Sequence, residues 1–179
     1  MNTIDITYYK SPYGELIIGS IDHQLCLCDW RYRKQRDLID KRLKNFAQAE
    51  FKESVTPVIQ QTINQLELYF NGNLKSFDLP LKLIGSDFQQ SVWQELLNIP
   101  YGKTLSYMEL SKKLDHEKAI RAVASANGAN AISIIVPCHR VVGSHGELTG
   151  YAGGIRVKEK LLALERLHTT GEQQLRLEL

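Results

Sequence analysis

Apolar and polar side chains alternate over residues 4–9, and two further short runs that are mostly apolar follow within the first 30 residues of the chain. A period of two residues is typical of strands with one buried face, and short apolar runs bounded by turns are also typical of strands, so residues 4–9, 16–20 and 25–30 are predicted to be β-strands. Turn-forming residues separate the runs, at Ser11-Pro12-Tyr13-Gly14 and around Asp22-His23. The pattern therefore predicts a small sheet at the start of the chain.

Two amphipathic helices are predicted after these strands. The first covers residues 33–46, where apolar side chains recur on one stripe and charged side chains lie opposite. The second begins at Thr56-Pro57, because threonine can cap a helix and proline suits its first position, and it ends at Asn71-Gly72. The polar, proline-containing stretch 77–84 is expected to be an extended connection.

A domain boundary is predicted in this connection, which gives an N-terminal α/β domain at residues 1–80 and a C-terminal domain at residues 81–179. Beyond the boundary the pattern is mostly helical. The first helix is predicted at residues 88–98, where apolar side chains face a core and either Ser86 or Asp87 can cap the start.

Two short helices across a tight turn form a helix-turn-helix candidate. Ser106 and Glu109 have the spacing of a capping box, so the first of these helices is predicted over residues 107–114. A polar break at 115–117 leads into the second helix, predicted at 118–127.

The end of the chain contains a buried-looking apolar run, a glycine-rich loop and a final helix. Residues 132–136 and 140–142 are interpreted as strand-like, on either side of Pro137-Cys138-His139. Residues 143–154 include five glycines and are predicted to be a loop. Residues 155–168 have the apolar stripe of an amphipathic helix.

The composition is typical of a globular protein, with 43% hydrophobic and 23% charged residues among 179. The sequence has neither a signal-peptide pattern nor an apolar run of the ~20 residues that a membrane span needs. Three cysteines argue against a disulfide framework and favour a reducing compartment, so a cytoplasmic location is predicted. A net charge of +2 does not by itself indicate a nucleic-acid partner.

Cys138 is the first candidate for chemistry. A thiolate is a far better nucleophile than a thiol, and the imidazole of His139 can accept the proton, directly or through a water, while Arg140 adds positive potential. The alternative is a buried, inert cysteine. Adjacent residues on a strand point to opposite faces, so this pair alone does not decide between the two.

The helix at 118–127 is the second candidate. A helix that reads the major groove usually exposes several Arg, Asn or Gln side chains, whereas this one offers mostly Ala and Ser, with Arg121 near its start. One interpretation is a tightly packed core helix. The other is a helix pressed into a narrow minor groove, with Arg121 reaching into the duplex.

Several motifs together resemble one family, the 6-O-alkylguanine-DNA alkyltransferases, also called methylated-DNA–protein-cysteine methyltransferases. The similarity is strong over about residues 86–168; the C-terminal helix at residues 158–165 lies at the family's spacing, and so do five segments. These are Tyr101-Gly102-Lys103-Thr104-Leu105-Ser106-Tyr107, Arg121-Ala122-Val123, Asn127-Gly128-Ala129-Asn130, Pro137-Cys138-His139-Arg140-Val141-Val142 and Thr149-Gly150-Tyr151-Ala152-Gly153-Gly154. The resemblance implies an α/β protein with a ribonuclease-H-like N-terminal sheet and a mostly helical, winged helix-turn-helix C-terminal domain.

The resemblance also implies the partner, double-stranded DNA with an alkylated guanine that is flipped out of the duplex from the minor groove. Arg121 would fill the vacated space. Tyr107 would help to rotate the nucleotide and would donate a proton or a hydrogen bond to the guanine ring. The small residues Ala122, Ser125 and Ala126 would lie against the groove.

For the reaction, the resemblance implies that Cys138 attacks the alkyl carbon, that His139 accepts the thiol proton through a water, and that Glu165 orients the imidazole. Asn130 would brace the turn beside the site. The product is a thioether, so each molecule would act once, as a suicide enzyme, without a cofactor and as a monomer. The 4-oxygen of thymine is a second candidate substrate.

The substrate pocket follows from the same resemblance. The carbonyl groups of Cys138 and Val141 would accept from the guanine amino group, Tyr151 would form a wall, and the amide of Ala152 would meet the 6-oxygen. Some relatives have serine in place of Ala152, so an extra hydroxyl contact is missing here. Trp93 is assigned to packing and included among the pocket residues.

Three alternatives stay open. Cys26 and Cys28 are two apart on a predicted strand and are expected to face the same side, so a zinc site with His23 is conceivable, but four ligands are not visible and core packing is preferred. A pure lesion-binding module is disfavoured because Cys138 is present. A cysteine hydrolase would need an oxyanion hole and an acyl pocket, which the sequence does not mark.

Overall fold

The N-terminal half is built on a four-stranded sheet in a computed structural model that describes residues 2–177, and the side chains of residues 2–170. The strand order is β3-β2-β1-β4, in which β1, β2 and β3 are antiparallel neighbours and β4 pairs in parallel with β1. A helix, α1, provides the crossover that parallel pairing requires. The elements are β1 (Asn2–Ser11), β2 (Gly14–Ile21), β3 (Gln24–Trp30), α1 (Arg36–Ala47) and β4 (Ala49–Glu53).

The three predicted strands and the first two helices are confirmed. The second helix, α2, spans Pro57–Phe70, with the Thr56 hydroxyl accepting from the amide of Ile59 as its cap. β4 was not predicted, because among its five residues only Ala49 is buried and the rest are largely polar. Such a strand at the sheet edge carries almost no alternating signal.

Both faces of this sheet are covered. On one face, Ile39 and Leu43 of α1 pack with Ile17 of β2. On the other face, α2 packs against the alternate residues of the same strands. The apolar cluster that they form continues into the C-terminal half of the chain. Its members there include Trp93 and Leu161. The N-terminal sheet is therefore joined to the C-terminal half by a shared apolar core.

The two cysteines of β3 lie on opposite faces of the sheet, so the prediction that they share a side was wrong. The pairing of β2 with β3 shifts between Gly19 and Ser20, which leaves Cys26 as an extra, bulged residue. Cys26 joins the α1-side cluster and Cys28 joins the α2-side cluster. Within the described part of the chain no group of three or more His, Cys, Asp or Glu side chains is arranged to hold a metal ion.

The C-terminal half is mostly helical, as predicted. The predicted capping box of Ser106 with Glu109 forms, and Ser86, one of the two predicted caps, forms a second box with Gln89 that was not predicted. A 3-10 turn at Glu117–Ala119 precedes the second helix of the helix-turn-helix candidate. The elements are α3 (Asp87–Leu96), β5 (Leu105–Ser106), α4 (Tyr107–Lys113), α5 (Ile120–Gly128), β6 (Val141–Val142) and α6 (Ile155–Leu177), with β5 and β6 paired in parallel.

The apolar run at 132–136 is a buried turn, and its interpretation as a strand was wrong. The Ile134 backbone has a positive φ of 72°, rare for a β-branched residue, and the amide of Ile135 donates to the carbonyl of Ser133 at 2.8 Å. Only Ile132 makes a strand-like bridge, to Cys28. The apolar composition of this run correctly indicated that it is buried, but burial does not distinguish a strand from a packed turn. No helix within residues 2–177 is both long and apolar enough to cross a membrane.

Candidate active site

Cys138 begins a short 3-10 turn, Cys138–Arg140, at the end of the buried turn. Its side chain is almost enclosed, with 5% of the residue exposed. Burial raises the pKa of the Cys138 thiol, and a hydrogen bond with Asn130 opposes that rise. A thiol in this position stays protonated at neutral pH and needs a neighbouring base to become a nucleophile.

Asn130 holds the turn that carries this cysteine. Its Oδ1 accepts from the amide of Ile132 at 2.9 Å, and its Nδ2 donates to the carbonyl of Val136 at 2.9 Å. The two bonds tie the start of the turn to its end. This geometry matches the bracing role implied by the family resemblance.

His139 and Glu165 form a fully buried pair beside the cysteine. The distance between Nε2 of His139 and Oε1 of Glu165 is 2.7 Å. An ionised carboxylate only accepts, so Nε2 carries the hydrogen and Nδ1 keeps a lone pair. Nδ1 is buried and has no hydrogen-bond partner among the described residues. It is therefore the atom available to take a proton.

The electrostatics keep this imidazole neutral. Burial lowers the pKa of His139, and the hydrogen bond and charge of Glu165 oppose that fall only in part. For Glu165, burial alone would raise the pKa, but His139 and Arg140 outweigh burial and hold the pKa of the carboxyl well below its usual range. A neutral imidazole oriented by a carboxylate is the arrangement a general base requires.

Glu165 is held by further donors. The Arg140 guanidinium binds both oxygens, with Nε 2.9 Å from Oε2 and Nη2 3.0 Å from Oε1. The Tyr69 hydroxyl donates to Oε1 at 2.8 Å, and the amide of Gly102 donates to Oε2 at 3.2 Å. Tyr69 was not predicted as a site residue, although a tyrosine on the buried stripe of an amphipathic helix normally has a polar partner.

A cavity of about 700 Å³ opens next to this site. Its wall includes Tyr107, Tyr151 and Ala152, three of the residues predicted for substrate binding. Two contacts hold the Tyr151 side chain in place. Nε1 of Trp30 donates to its hydroxyl at 3.1 Å, and its ring packs edge to face on the His139 ring, with centroids 6.5 Å apart. Tyr32 also lines the cavity and is 78% exposed.

Two other predicted pocket residues are placed differently. Trp93 lies in the core, outside the cavity lining, and its Nε1 donates to the carbonyl of Ala126 at 2.8 Å. Its assignment to packing is therefore right and its inclusion in the pocket is not. Val141 is fully buried, and its carbonyl already accepts from Nζ of the buried Lys158 at 2.6 Å. A carbonyl has a second lone pair, so an additional donor can still bind there.

The exposed face of α5 carries Arg121, Ala122 and Ser125, as predicted. Ala126 is 3% exposed and lies on the core stripe with Val123, so its predicted contact with DNA was wrong. Positions 123 and 126 are three apart and share the face of the helix that packs inward, away from Ala122.

A second buried polar network ties the N-terminal half to the turn before the cysteine. Asp29 at the end of β3 is fully buried and pairs with Arg33 at 3.0 Å, and its other oxygen accepts from the Ser133 hydroxyl at 3.0 Å. Arg33 in turn donates to the carbonyls of Gly128 and Asn130, at 2.7 and 3.2 Å. None of these contacts was predicted, and those to Gly128, Asn130 and Ser133 join residues about 100 positions apart in the chain.

Comparisons with known proteins agree with this geometry. Residues 4–83 match the family model described as "6-O-methylguanine DNA methyltransferase, ribonuclease-like domain", and residues 87–167 match the corresponding "DNA binding domain". The chain is 54% identical over 156 residues to a methylated-DNA–protein-cysteine methyltransferase of Methanosarcina barkeri, covering 87% of this chain and 93% of that one. It is 53% identical over 169 residues to the Mycolicibacterium paratuberculosis protein of the same name, covering 93% and 94%.

Solved structures show the same similarity. Mycobacterium tuberculosis OGT in complex with DNA superposes with a TM-score of 0.77 at 38% identity, over 93% of this chain and 94% of that chain. A 6-O-methylguanine-DNA methyltransferase from Pyrococcus kodakaraensis has a TM-score of 0.63 at 24% identity, which supports the fold alone.

Proposed function

Because this chain belongs to the 6-O-methylguanine DNA methyltransferase family, we propose that it repairs DNA by moving an alkyl group from the 6-oxygen of guanine to the sulfur of its own Cys138. Both halves of the chain match the family, and relatives named methylated-DNA–protein-cysteine methyltransferase match over most of their length. The enzyme class is therefore an alkyltransferase in which the acceptor is the protein itself.

The observation that carries the proposal is the buried pair of His139 and Glu165 directly after Cys138. In the proposed step, the sulfur bonds to the alkyl carbon while the bond from that carbon to the guanine 6-oxygen breaks. The thiol proton passes through a water molecule to Nδ1 of His139. The leaving guanine takes up one proton from solvent, and the imidazolium gives its own proton to solvent, so charges and protons balance.

Substrate binding is proposed to require base flipping, since an almost enclosed sulfur cannot reach a base inside the stack. Arg121, exposed on α5, would enter the duplex through the minor groove and take the place of the flipped base. Ala122 and Ser125 would let the helix approach closely. Tyr107, Tyr151 and Ala152, which line the cavity, would hold the alkylated guanine.

The product of this step is a thioether, which thiols do not reduce. We therefore propose a single turnover for each molecule. The test is a titration of a fixed amount of protein with excess duplex that carries labelled 6-O-methylguanine. Transfer should stop at one methyl group per protein, and continued transfer beyond that ratio would refute the single-turnover proposal. A parallel titration with 4-O-methylthymine would show whether thymine is also a substrate.

Two other functions make different predictions. A lesion-binding module would bind the duplex and transfer no alkyl group. A cysteine hydrolase would turn over an ester or amide substrate repeatedly. The family membership and the presence of Cys138 favour the alkyltransferase over both.

A further inference from the structure

Tyr69 is a residue of the N-terminal half of the chain that contacts the candidate active site. It lies on α2, is fully buried, and its hydroxyl donates to Oε1 of Glu165 at 2.8 Å. The ring is fixed by aromatic neighbours on two sides, with centroids 5.5 Å from Phe77 and 6.2 Å from Tyr101. The hydroxyl therefore has one orientation toward the carboxylate.

Three donors converge on that single oxygen of Glu165. Nε2 of His139 lies at 2.7 Å, the Tyr69 hydroxyl at 2.8 Å and Nη2 of Arg140 at 3.0 Å. Each donor takes part of the negative charge that the carboxylate presents to the imidazole. The extent to which Glu165 stabilises a protonated His139 therefore depends on how many other donors share Oε1.

We propose that Tyr69 is a positioning residue for alkyl transfer, which acts through Glu165 to limit how strongly His139 retains a proton. The inference rests on the proposed function of Cys138 and gives the N-terminal half a part in the reaction. His139 has to accept a proton from the thiol and then release it. A carboxylate with fewer competing donors would hold the imidazolium more tightly and keep the base protonated.

The sign of the effect follows from this electrostatic balance. Removing the hydroxyl leaves Glu165 with one donor fewer, so the carboxylate stabilises the charged imidazole more strongly and the pKa of His139 rises. The neutral, active form of the base then appears only at higher pH. The titratable and charged groups that surround His139 are Glu165 and Lys158 of α6, Cys138 and Arg140 of its own turn, Tyr151 of the glycine-rich loop, Tyr69 of α2, and Tyr101 behind Tyr69.

The experiment is the Tyr69→Phe variant, which keeps the ring and removes only the hydroxyl. Single-turnover methyl transfer from a duplex with 6-O-methylguanine is measured at intervals from about pH 5 to 9, where loss of rate at low pH reports protonation of the base. We expect the midpoint of this acid limb to move upward by about half a pH unit or more. The plateau rate at high pH should change little.

Tyr13→Phe is the matched control. Tyr13 packs edge to face on Phe70 in the same half of the chain, with centroids 5.2 Å apart, and lies outside the site. Removal of the Tyr13 hydroxyl should leave the midpoint of the acid limb at the wild-type pH. A comparable shift in Tyr13→Phe would show that the change is not specific to the Glu165 contact and would overturn the proposal.

A structural role alone would produce a different result. If Tyr69→Phe lowers the thermal unfolding midpoint and the overall rate but leaves the acid limb unmoved, Tyr69 only supports packing and the proposal is wrong. Failure of the proposed function is a separate outcome, because the wild type itself would then transfer no methyl group at any pH.

Discussion

Nε2 of His139 lies 2.7 Å from Oε1 of Glu165, and neither side chain reaches solvent. The contact has two consequences. It fixes the hydrogen of the imidazole on Nε2, which leaves Nδ1 as the base. It also places a carboxylate where the buried guanidinium of Arg140 needs a counter-charge. We therefore expect catalytic competence and stability to depend on the same acidic residue.

Replacing Glu165 by Gln should affect both properties. The methyl-transfer rate should fall by about tenfold or more, because the imidazole loses its orienting carboxylate. The free energy of unfolding should fall by about 3–5 kcal/mol, because Arg140 becomes an unpaired buried charge. Single-turnover kinetics and urea unfolding measure the two effects. Glu159→Gln, on the exposed side of the same helix, should change neither, and wild-type rates in Glu165→Gln would refute the role assigned to the carboxylate.

Stability should decline as the pH falls. Burial lowers the pKa of His139 from 6.5, so the unfolded chain binds this proton first and stability begins to fall below about pH 6.5. The pKa of Glu165 is held below its ordinary value of 4.5, despite burial, by His139 and Arg140, so a second loss follows below about pH 4.5. Urea unfolding at pH 7.5, 5.5 and 4.0 tests this. The loss below pH 4.5 should shrink in Glu165→Gln, and an equal loss in both proteins would contradict the assignment.

Arg121→Ala should separate DNA engagement from alkyl transfer. Without the guanidinium that is proposed to occupy the vacated space, repair of duplex 6-O-methylguanine should fall by roughly tenfold or more, as expected for a loss of about 1–3 kcal/mol in DNA contacts. Reaction with free benzylated guanine should be preserved, because no base has to be flipped. Arg166 is an exposed cation on α6, so Arg166→Ala is the control for the loss of one positive charge. Equal losses on both substrates would mean that Arg121 is structural.

The glycine-rich loop should tolerate substitution unevenly. A Cβ at Gly153 would lie 2.7 Å from the Trp30 ring, whereas a Cβ at Gly150 would meet nothing within 4 Å. Gly153→Ala should therefore cost about 1–3 kcal/mol through overpacking, and the displaced loop should also slow reaction with free benzylated guanine. Gly150→Ala should keep wild-type stability in thermal unfolding. Equal stability of the two variants would mean that the Trp30 ring does not restrict the side chain at position 153.

Local patterns predicted most of the fold. Short-range signals identified the strands at the start of the chain, the helix that begins at Thr56-Pro57 and the capping box of Ser106 with Glu109. Local patterns failed where tertiary packing decides the backbone. The bulge at Cys26 reverses the expected side of one cysteine, and the buried run around Ile134 turns instead of extending.

The candidate site was predictable only in part for a similar reason. The family's spacing identified Cys138, His139 and Glu165, and their geometry is consistent with the proposed roles. Tyr69 lies 96 positions from Glu165, and contacts at such separations leave no periodic signal in one sequence. Ala126 shows the converse error, since a small residue on a helix does not reveal whether it faces a partner or a core.

The central claim is covalent transfer to Cys138, and intact-protein mass spectrometry tests it most directly. Wild-type protein and Cys138→Ser are each incubated with a duplex that holds one 6-O-methylguanine, and peptide mapping then locates any added mass. The account predicts a single added methyl group on Cys138 in the wild type and none in the variant. Unmodified wild-type protein that still binds the duplex, or a methyl group retained in Cys138→Ser, would contradict it.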